Sequence, residues 1–471
     1  MGAITLLCVA AAYASGYAAE PVFESRVLYA PGHFGNSYEV MGEREARELL
    51  HEAQYWGFNG YCDWFDTVDC ADPFGDPHYN LGKALWNRKK THFKSAQDLG
   101  FRCGLCITPN HVFLDQCRPE WRAERGESGR IFGQLICPSI PEARAVILNN
   151  YDNLFRDLAQ AGVHLRFLSP CPYDYGGCAC PACNPWILTF AVLCRDIYEV
   201  ALRYHPGIEM HFVGWWWSEE EHRLFADWAD AKAPAWVKSI SLHIPYGKMD
   251  VSGVPLPAGC ERRAFVHIGY ADQAQPRDCY GHLGPVIAAE RLPKTLRALK
   301  AHGVTGFMAY SEGIYEDVNK ALVAGIASAQ YDDAGAVLRA YARRYFQADE
   351  TRAGQWEAWL RPWGAPFTVD AAAALQALPA GKDPQHWRFR QWALKAQMLT
   401  VHHRIEGGNT WTPARVAAAE RFWALRETLE RQVYGLGPLR HILDKHFAPL
   451  SWQHSWTEHR AQASLSLHPH M

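Results

Sequence analysis

From about residue 26 to residue 330, the chain alternates short apolar runs with amphipathic stretches of helical period. Several helical stretches end in a glycine that suits a helix C-terminus, in the phrases WGFN, LGFR, AGVH and AHGV around Gly57, Gly100, Gly162 and Gly303. A glycine at this position lets the chain leave the helix and turn into a strand. The recurring turn predicts parallel strands joined by crossover helices.

Eight strands are predicted once one weak candidate, Phe132–Cys137, is assigned to a loop. The sequence has neither a G-x-G-x-x-G nor a Walker motif, which favours a (β/α)8 TIM barrel over a doubly wound sheet. The predicted strands are Arg26–Ala30, Gly57–Cys62, Arg102–Ile107, Leu165–Ser169, Glu209–Gly214, Ser239–His243, Arg263–Tyr270 and Gly306–Tyr310. The predicted helices between them are Glu43–Tyr55, Arg88–Leu99, Ile140–Ala161, Trp186–Tyr204, Glu219–Ala231 and Glu290–His302.

The strand pattern stops at about Tyr331, and three further stretches, Ala334–Phe346, His386–His403 and Pro413–Tyr434, have helical spacing. The predicted organisation is therefore a barrel over residues 20–330 followed by an α-helical C-terminal domain over residues 331–471. Residues 1–19 contain an apolar run and resemble a secretory signal peptide, although no Lys or Arg precedes that run. We expect a secreted or periplasmic bacterial protein with no membrane span.

Net charge and aromatic content indicate what kind of molecule the chain binds. Lys plus Arg number 47 against 50 for Asp plus Glu, a formal net charge of −3, which argues against nucleic acid and against a polybasic membrane surface. The chain has 19 Trp and 21 Tyr, many of them just after predicted strands. Aromatic rings there either stack on the apolar faces of sugars or pack in the core. A carbohydrate is the predicted partner.

Polar and aromatic residues follow the predicted strands, where the loops of a β/α barrel build the active site. His33 and Asn36 follow the first strand. The residues predicted to bind substrate are Asp63, Asp66, Asn110, His111, Tyr173, Trp215, Trp216, His243, Tyr246, Tyr270, Asp272 and Tyr310.

Asp174, after the fourth strand, and Glu312, after the eighth, are the predicted catalytic pair. Hydrolysis of a glycosidic bond needs one carboxylic acid to protonate the leaving oxygen and a second carboxylate to attack or to activate water. No cofactor is expected to be needed for this reaction. Other acids have expected structural roles, because Ser218 and Glu221 form a capping-box pattern and Glu316 with Asp317 opens the helix after the eighth strand.

Two alternatives to a glycoside hydrolase remain open. One is a metal-dependent sugar isomerase or hydrolase that uses His111, His243 and nearby carboxylates. The absence of H-x-H on the first strand and of H-E-x-x-H weighs against it. The other is a carbohydrate-binding barrel without catalytic activity.

The chain has 14 cysteines, and four of them cluster after the fourth strand: Cys171, Cys178, Cys180 and Cys183. Their spacing suits either a closed structural zinc site or a set of disulfides, and a structural role is favoured over a redox one. Other cysteines lie on or near predicted strands and are expected to be small buried hydrophobes: Cys62, Cys103, Cys106, Cys137 and Cys194.

Three segments carry a resemblance to a known group of enzymes: DYGGCACPAC at 174–183, YSEGIYEDVNK at 310–320 and LRAYARRYF at 338–346. They resemble bacterial secreted glycoside hydrolases of the alpha-glucuronidase-like and hexosaminidase-like barrel group. The likeness covers roughly residues 26 to 346 and implies a barrel hydrolase with a helical domain after it. The chain lacks the adjacent carboxylate pair that substrate-assisted hexosaminidases place after the fourth strand, so an N-acetyl-assisted mechanism is not expected.

Overall fold

Eight parallel strands form a closed barrel in the order β1 to β8 in the computed structural model of the chain. The predicted (β/α)8 fold is therefore confirmed. The strands are β1 Ser25–Tyr29, β2 Gly60–Trp64, β3 Arg102–Ile107, β4 Phe167–Pro170, β5 Glu209–Gly214, β6 Val237–Ile244, β7 Glu261–His267 and β8 Gly306–Tyr310. The structure describes residues 20–33, 35–65, 70–75, 80–124, 135–171, 177–244, 250–273, 281–408, 410–436 and 450–467.

Helices surround the barrel and continue past its last strand. The barrel helices are α1 Ser37–Val40, α2 Glu43–Trp56, α3 Leu81–Asp98, α4 Pro141–Gln160, α5 Trp186–Leu202, α6 Glu219–Lys232, α7 Arg291–Ala301 and α8 Asp317–Ala327. The later helices are α9 Ala334–Phe346, α10 Glu350–Leu360, α11 Ala371–Gln376, α12 Trp387–Glu406, α13 Pro413–Glu427 and α14 Gln453–Leu467.

Within the predicted segment Phe132–Cys137, the described residues begin at Leu135 and do not belong to a barrel strand. Leu135 and Ile136 form only isolated bridges, to His111 and to Arg122. For these residues the assignment to a loop is confirmed.

The glycine turns between helices and strands take the conformation that the sequence predicts. Gly57, Gly100, Gly162 and Gly303 have φ between 73° and 109°, in the left-handed region that residues with a Cβ rarely adopt. The N–H of Gly57 caps α2 by bonding to the carbonyls of Ala53 and Gln54. Each such turn ends a helix with its carbonyls satisfied and directs the chain into the next strand.

Strand residues alternate between the barrel interior and the helix layer. In β8, Met308 and Tyr310 belong to the interior cluster, while Phe307 and Ala309 belong to the core between strands and helices. All five residues of this strand are buried. Burial on both faces explains why the strands read as continuous apolar runs rather than alternating patterns.

The later helices pack onto the barrel rather than around a separate core, because one cluster of buried residues spans both parts. A buried ion pair joins Asp317 of α8 to Arg388 of α12, with Nε to Oδ2 at 2.6 Å, and the Tyr341 hydroxyl donates to the same carboxylate at 2.7 Å. Burial alone would raise the pKa of Asp317, but the Arg388 guanidinium outweighs that effect and lowers it. The exact boundary near residue 330 stays a prediction.

Polar side chains close the N-terminal end of the barrel. His211 is buried, its Nε2 lies 3.0 Å from Glu209, and its Nδ1 lies 3.1 Å from the guanidinium of Arg263. A guanidinium can only donate, so Nδ1 accepts and the imidazole is neutral with its proton on Nε2. Burial accordingly lowers the pKa of His211 to about 4.

No helix within the described ranges is long and apolar enough to cross a membrane. The predicted signal peptide, residues 1–19, lies outside the described residues.

We predict that His211 makes the fold less stable in acid. Between pH 6.5 and about 4 the unfolded chain protonates this histidine and the folded chain does not, so unfolding becomes easier as pH falls. His211→Gln should reduce the loss of unfolding free energy across that window by on the order of 3 kcal/mol. Denaturant titrations at a series of pH values measure it, with exposed His164 changed to Gln as the control. Equal pH slopes in wild type and H211Q would show that His211 is not held neutral.

Candidate functional site

Aromatic side chains line the barrel where β5 to β8 end. The Trp215 ring stacks on His243 with centroids 4.5 Å apart and planes 22° apart, and it meets Tyr310 edge-on at 6.1 Å. His267, at the end of β7, lies 4.9 Å from Trp215 and 5.2 Å from Tyr310. Three predicted substrate-binding residues, Trp215, His243 and Tyr310, thus meet around His267. Burial holds the pKa of His267 well below its usual range.

Trp216 is the exposed member of this group. Its side chain is 61% exposed and its ring lies 6.2 Å from Trp215 and 5.2 Å from His243. Its φ of 61° lies in the left-handed region, which is unusual for a bulky residue. Such backbone strain, costing roughly 1–3 kcal/mol, tends to persist at ligand-binding sites. Trp216 thus presents a large, mostly exposed apolar side chain at the end of a strand.

Glu312 lies just after β8 and is buried, with 4% of its surface exposed. Its Oε2 is 3.0 Å from Nε2 of His33, which follows β1. The His33 ring in turn meets Trp64, at the end of β2, at 5.4 Å and 68°. The predicted catalytic carboxyl is therefore held by a histidine whose ring packs against the barrel interior.

A second acid, Glu316, supports the loop that carries Glu312. Both oxygens of Glu316 accept the backbone N–H of Glu312, at 2.9 and 3.1 Å. Burial raises the pKa of Glu316 to about 8. Glu316 precedes the first residue of α8, as expected, but its side chain holds the loop and makes no helix-cap bond.

Two more buried groups fix the same loop. The Lys320 ammonium donates to the Gly313 carbonyl at 2.8 Å, and the Tyr38 hydroxyl donates to the same oxygen at 2.8 Å. Burial lowers the pKa of Lys320 to about 8. The sequence signal for these contacts is a spacing of four residues, which separates Glu312 from Glu316 and Glu316 from Lys320.

Asp63, predicted to bind substrate, lies in a network of buried contacts. It is fully buried and pairs with Lys89 at 2.8 Å. Its Oδ1 also accepts the backbone N–H groups of Gly32 and Trp64. Its neighbours on β2, Cys62 and Trp64, face the barrel interior, so Asp63 points to the helix layer.

Asp272, predicted to bind substrate, caps a helix. Its Oδ1 accepts the backbone N–H groups of Glu290 and Arg291 at the start of α7, at 3.0 and 2.8 Å. A carboxylate at a helix N-terminus satisfies backbone donors there. Burial raises the pKa of Asp272.

Asn110, His111 and Tyr270 are all buried. The Asn110 side chain donates to the Ile136 carbonyl at 3.3 Å, and burial lowers the pKa of His111 to about 3. Tyr270 lies 6.5 Å from His267, at the edge of the aromatic group. Asp66, Tyr173, Asp174 and Tyr246 lie outside the described residues.

Two further predictions, the helix cap of α6 and the cysteine cluster, have different outcomes. Ser218 and Glu221 form the predicted capping box on α6. Cys171 lies in the barrel-interior cluster, away from the other three cysteines of its loop. Cys137, expected to be a buried hydrophobe, takes its place beside Cys178, Cys180 and Cys183. Sequence proximity favoured Cys171, whereas the fold brings in a residue from the β3–α4 connection.

No protein-family model matches the chain, and no curated protein sequence matches it. Solved structures of low identity do resemble it. A family GH115 4-O-methyl-alpha-glucuronidase with specificity for decorated arabinogalactans has a TM-score of 0.50 at 10% identity, covering 88% of this chain and 59% of that one. A GH138 enzyme targeting pectin rhamnogalacturonan II has a TM-score of 0.46 at 11% identity, covering 91% of this chain and 60% of that one. A Thermobaculum terrenum O-GlcNAc hydrolase mutant has a TM-score of 0.42 at 11% identity, covering 88% and 84%.

These structural neighbours are glycoside hydrolases. The chain spans about three fifths of the length of the GH115 and GH138 structures. At such identities the likeness shows the fold, so function has to be argued from the site.

We predict that Glu316 stabilises the fold by accepting the backbone N–H of Glu312. Glu316→Gln keeps an amide oxygen for the Glu312 N–H, whereas Glu316→Ala leaves that buried donor without its partner, at about 1–3 kcal/mol. E316A should therefore lose about that much more unfolding free energy than E316Q in denaturant titrations at neutral pH. Glu350→Ala, on an exposed helix start, serves as the near-neutral control. Equal losses in E316A and E316Q would contradict this role.

Proposed function

We propose that the chain is a glycoside hydrolase that uses Glu312 as nucleophile or base and Asp174 as general acid. The observation that carries this proposal is the Glu312 carboxyl, buried just after β8 and hydrogen-bonded to His33 at 3.0 Å. A positioned carboxyl at the C-terminal end of a barrel strand is what acid–base or nucleophilic attack on a sugar requires.

The aromatic group supports a carbohydrate as substrate. Trp215, Trp216 and Tyr310 present flat apolar surfaces at the same end of the barrel. Sugar rings have apolar C–H faces that pack on such surfaces while their hydroxyls remain free for polar partners. His243, partly buried and stacked on Trp215, offers one such polar group.

The strand order supports the pairing with Asp174. In the closed barrel β4 and β8 are four strands apart in either direction, so the loops that follow them start on opposite sides of the mouth. Asp174 follows the last residue of β4 by four positions. In this proposal each of the two loops contributes one acid, which suits a sugar bound between them.

No described group of residues favours the metal-dependent alternative. Over the described ranges, the only set of three or more potential ligands with converging donor atoms is the cysteine cluster. Export through the predicted signal peptide is part of the proposal.

Removing either acid should abolish turnover without unfolding the protein. On a substrate found by screening aryl glycosides and plant and microbial glycans, Glu312→Gln and Asp174→Asn should each lower kcat/KM by about 100- to 10,000-fold. Glu220→Gln, an exposed acid at the start of α6, is the matched control.

Full activity in E312Q or D174N would remove that residue from the mechanism. Binding of glycans without turnover by the wild type would instead support the non-catalytic barrel. Activity lost to a chelator and restored by metal, with the cysteine site intact, would support the metal-dependent enzyme.

The role of Trp216 has its own test. Glycine accepts the φ of 61° that strains a tryptophan, so Trp216→Gly removes the ring without a backbone penalty. KM should rise on the order of tenfold, from ~1.5 kcal/mol of lost ring contact, with kcat nearly unchanged. Val192→Ala, on the exposed face of α5, is the control for loss of a surface apolar group. An unchanged KM would show that the ring does not contact substrate.

A further inference from the structure

Four cysteine sulfurs converge between two loops of the barrel. Cys137 lies on the β3–α4 connection, and Cys178, Cys180 and Cys183 lie on the β4–α5 connection. All four Sγ atoms lie within 4.8 Å of one another. Cys137 Sγ is 3.7 Å from that of Cys180 and 3.6 Å from that of Cys183.

These separations match a metal site and not a disulfide. Four thiolates around zinc at about 2.3 Å place their sulfurs roughly 3.8 Å apart at tetrahedral geometry. A disulfide would bring two sulfurs to about 2.05 Å. The four cysteines are all free thiols in the structure.

The backbone holds the four residues in this arrangement. The Cys137 N–H donates to the Trp121 carbonyl at 2.7 Å, and the Ala179 N–H donates to the Glu124 carbonyl at 3.0 Å. The segment that leads to Cys137 and the loop around Cys178 are thereby tied to one common stretch of chain, residues 121–124. The two halves of the cluster are brought together by backbone bonds independent of the sulfurs.

Apolar packing limits the access of water. Cys137, Cys178 and Cys183 are at most 5% exposed, and only Cys180 is partly open. The Trp186 ring and Ile140 pack on the cluster. Four protein sulfurs with no open position constitute a structural site rather than a catalytic one.

We propose that Cys137, Cys178, Cys180 and Cys183 bind one Zn²⁺ ion as a closed tetrahedral thiolate site. Each thiol releases its proton to water as its sulfur binds the metal, and no electron transfer is involved. The ion links the loop after β3 to the loop after β4. It fixes the chain four residues beyond Asp174, and the site stands independently of the proposed hydrolase activity.

Metal analysis of the purified full-length chain tests the proposal. We expect one zinc per chain in the wild type, and cobalt substitution should give the intense visible bands of tetrahedral thiolate coordination. Cys137→Ala should lose the bound zinc. Cys171→Ala, which removes a buried thiol of the same loop outside the cluster, should retain it.

Thiol alkylation read by mass spectrometry keeps the test independent of whether C137A folds. In the wild type, these four cysteines should resist alkylation until a strong chelator is added, and then react together. Disulfides among them, iron in place of zinc, no bound metal, or equal zinc loss in C171A would each overturn the proposal.

Discussion

The pairing of β1 with β8 is the constraint on which the candidate site depends, because it closes the barrel. Five residue pairs hold the two strands in register, from Ser25 with Gly306 to Tyr29 with Tyr310. Gly306 permits this approach, since a Cβ there would lie 2.6 Å from the Ser25 Cβ. The closure brings the chain after β1 beside the chain after β8, which places His33 against Glu312. A slip of one residue would turn Tyr310 from the barrel interior to the helix layer.

Buried polar groups then hold the loop after β8 rigidly. Glu316 accepts the Glu312 N–H, and Lys320 donates to the Gly313 carbonyl. The adjacent Asp317 anchors the start of α8 to Arg388 of α12. Removing one partner of such a buried pair typically costs about 3–5 kcal/mol, because the other charge is left uncompensated. The C-terminal helices therefore contact the segment after β8, through Asp317 and through the packing of Tyr315 on Tyr434, and they contribute to its rigidity.

The sequence predicts the strands and helices, but it does not predict the direction in which individual side chains point. Periodicity and the glycine turns predicted every barrel strand, and the bounds of α9 matched to the residue. The direction of the Asp63 side chain could not be predicted because β2 is buried on both faces, so its apolar pattern does not reveal which face each residue occupies. Cys137 was missed because its partners lie about forty residues away along the chain, and only the packing of two loops brings them together.

The two proposed catalytic acids lie at different distances along the chain from the ends of their strands. On the β8 side, Glu312 follows its strand by two residues and is held by short-range buried contacts. On the β4 side, Asp174 sits further out along its loop, four residues past the strand end and four before Cys178. Fixing the far end of a loop lowers the conformational entropy that is lost when the loop is ordered. The convergence of Cys178 with a cysteine from the neighbouring loop provides such a fixed end. A metal ion bound on the β4 side would thus fix the end of the loop that carries Asp174. Glu316, Lys320 and His33 fix the loop that carries Glu312 in a comparable way.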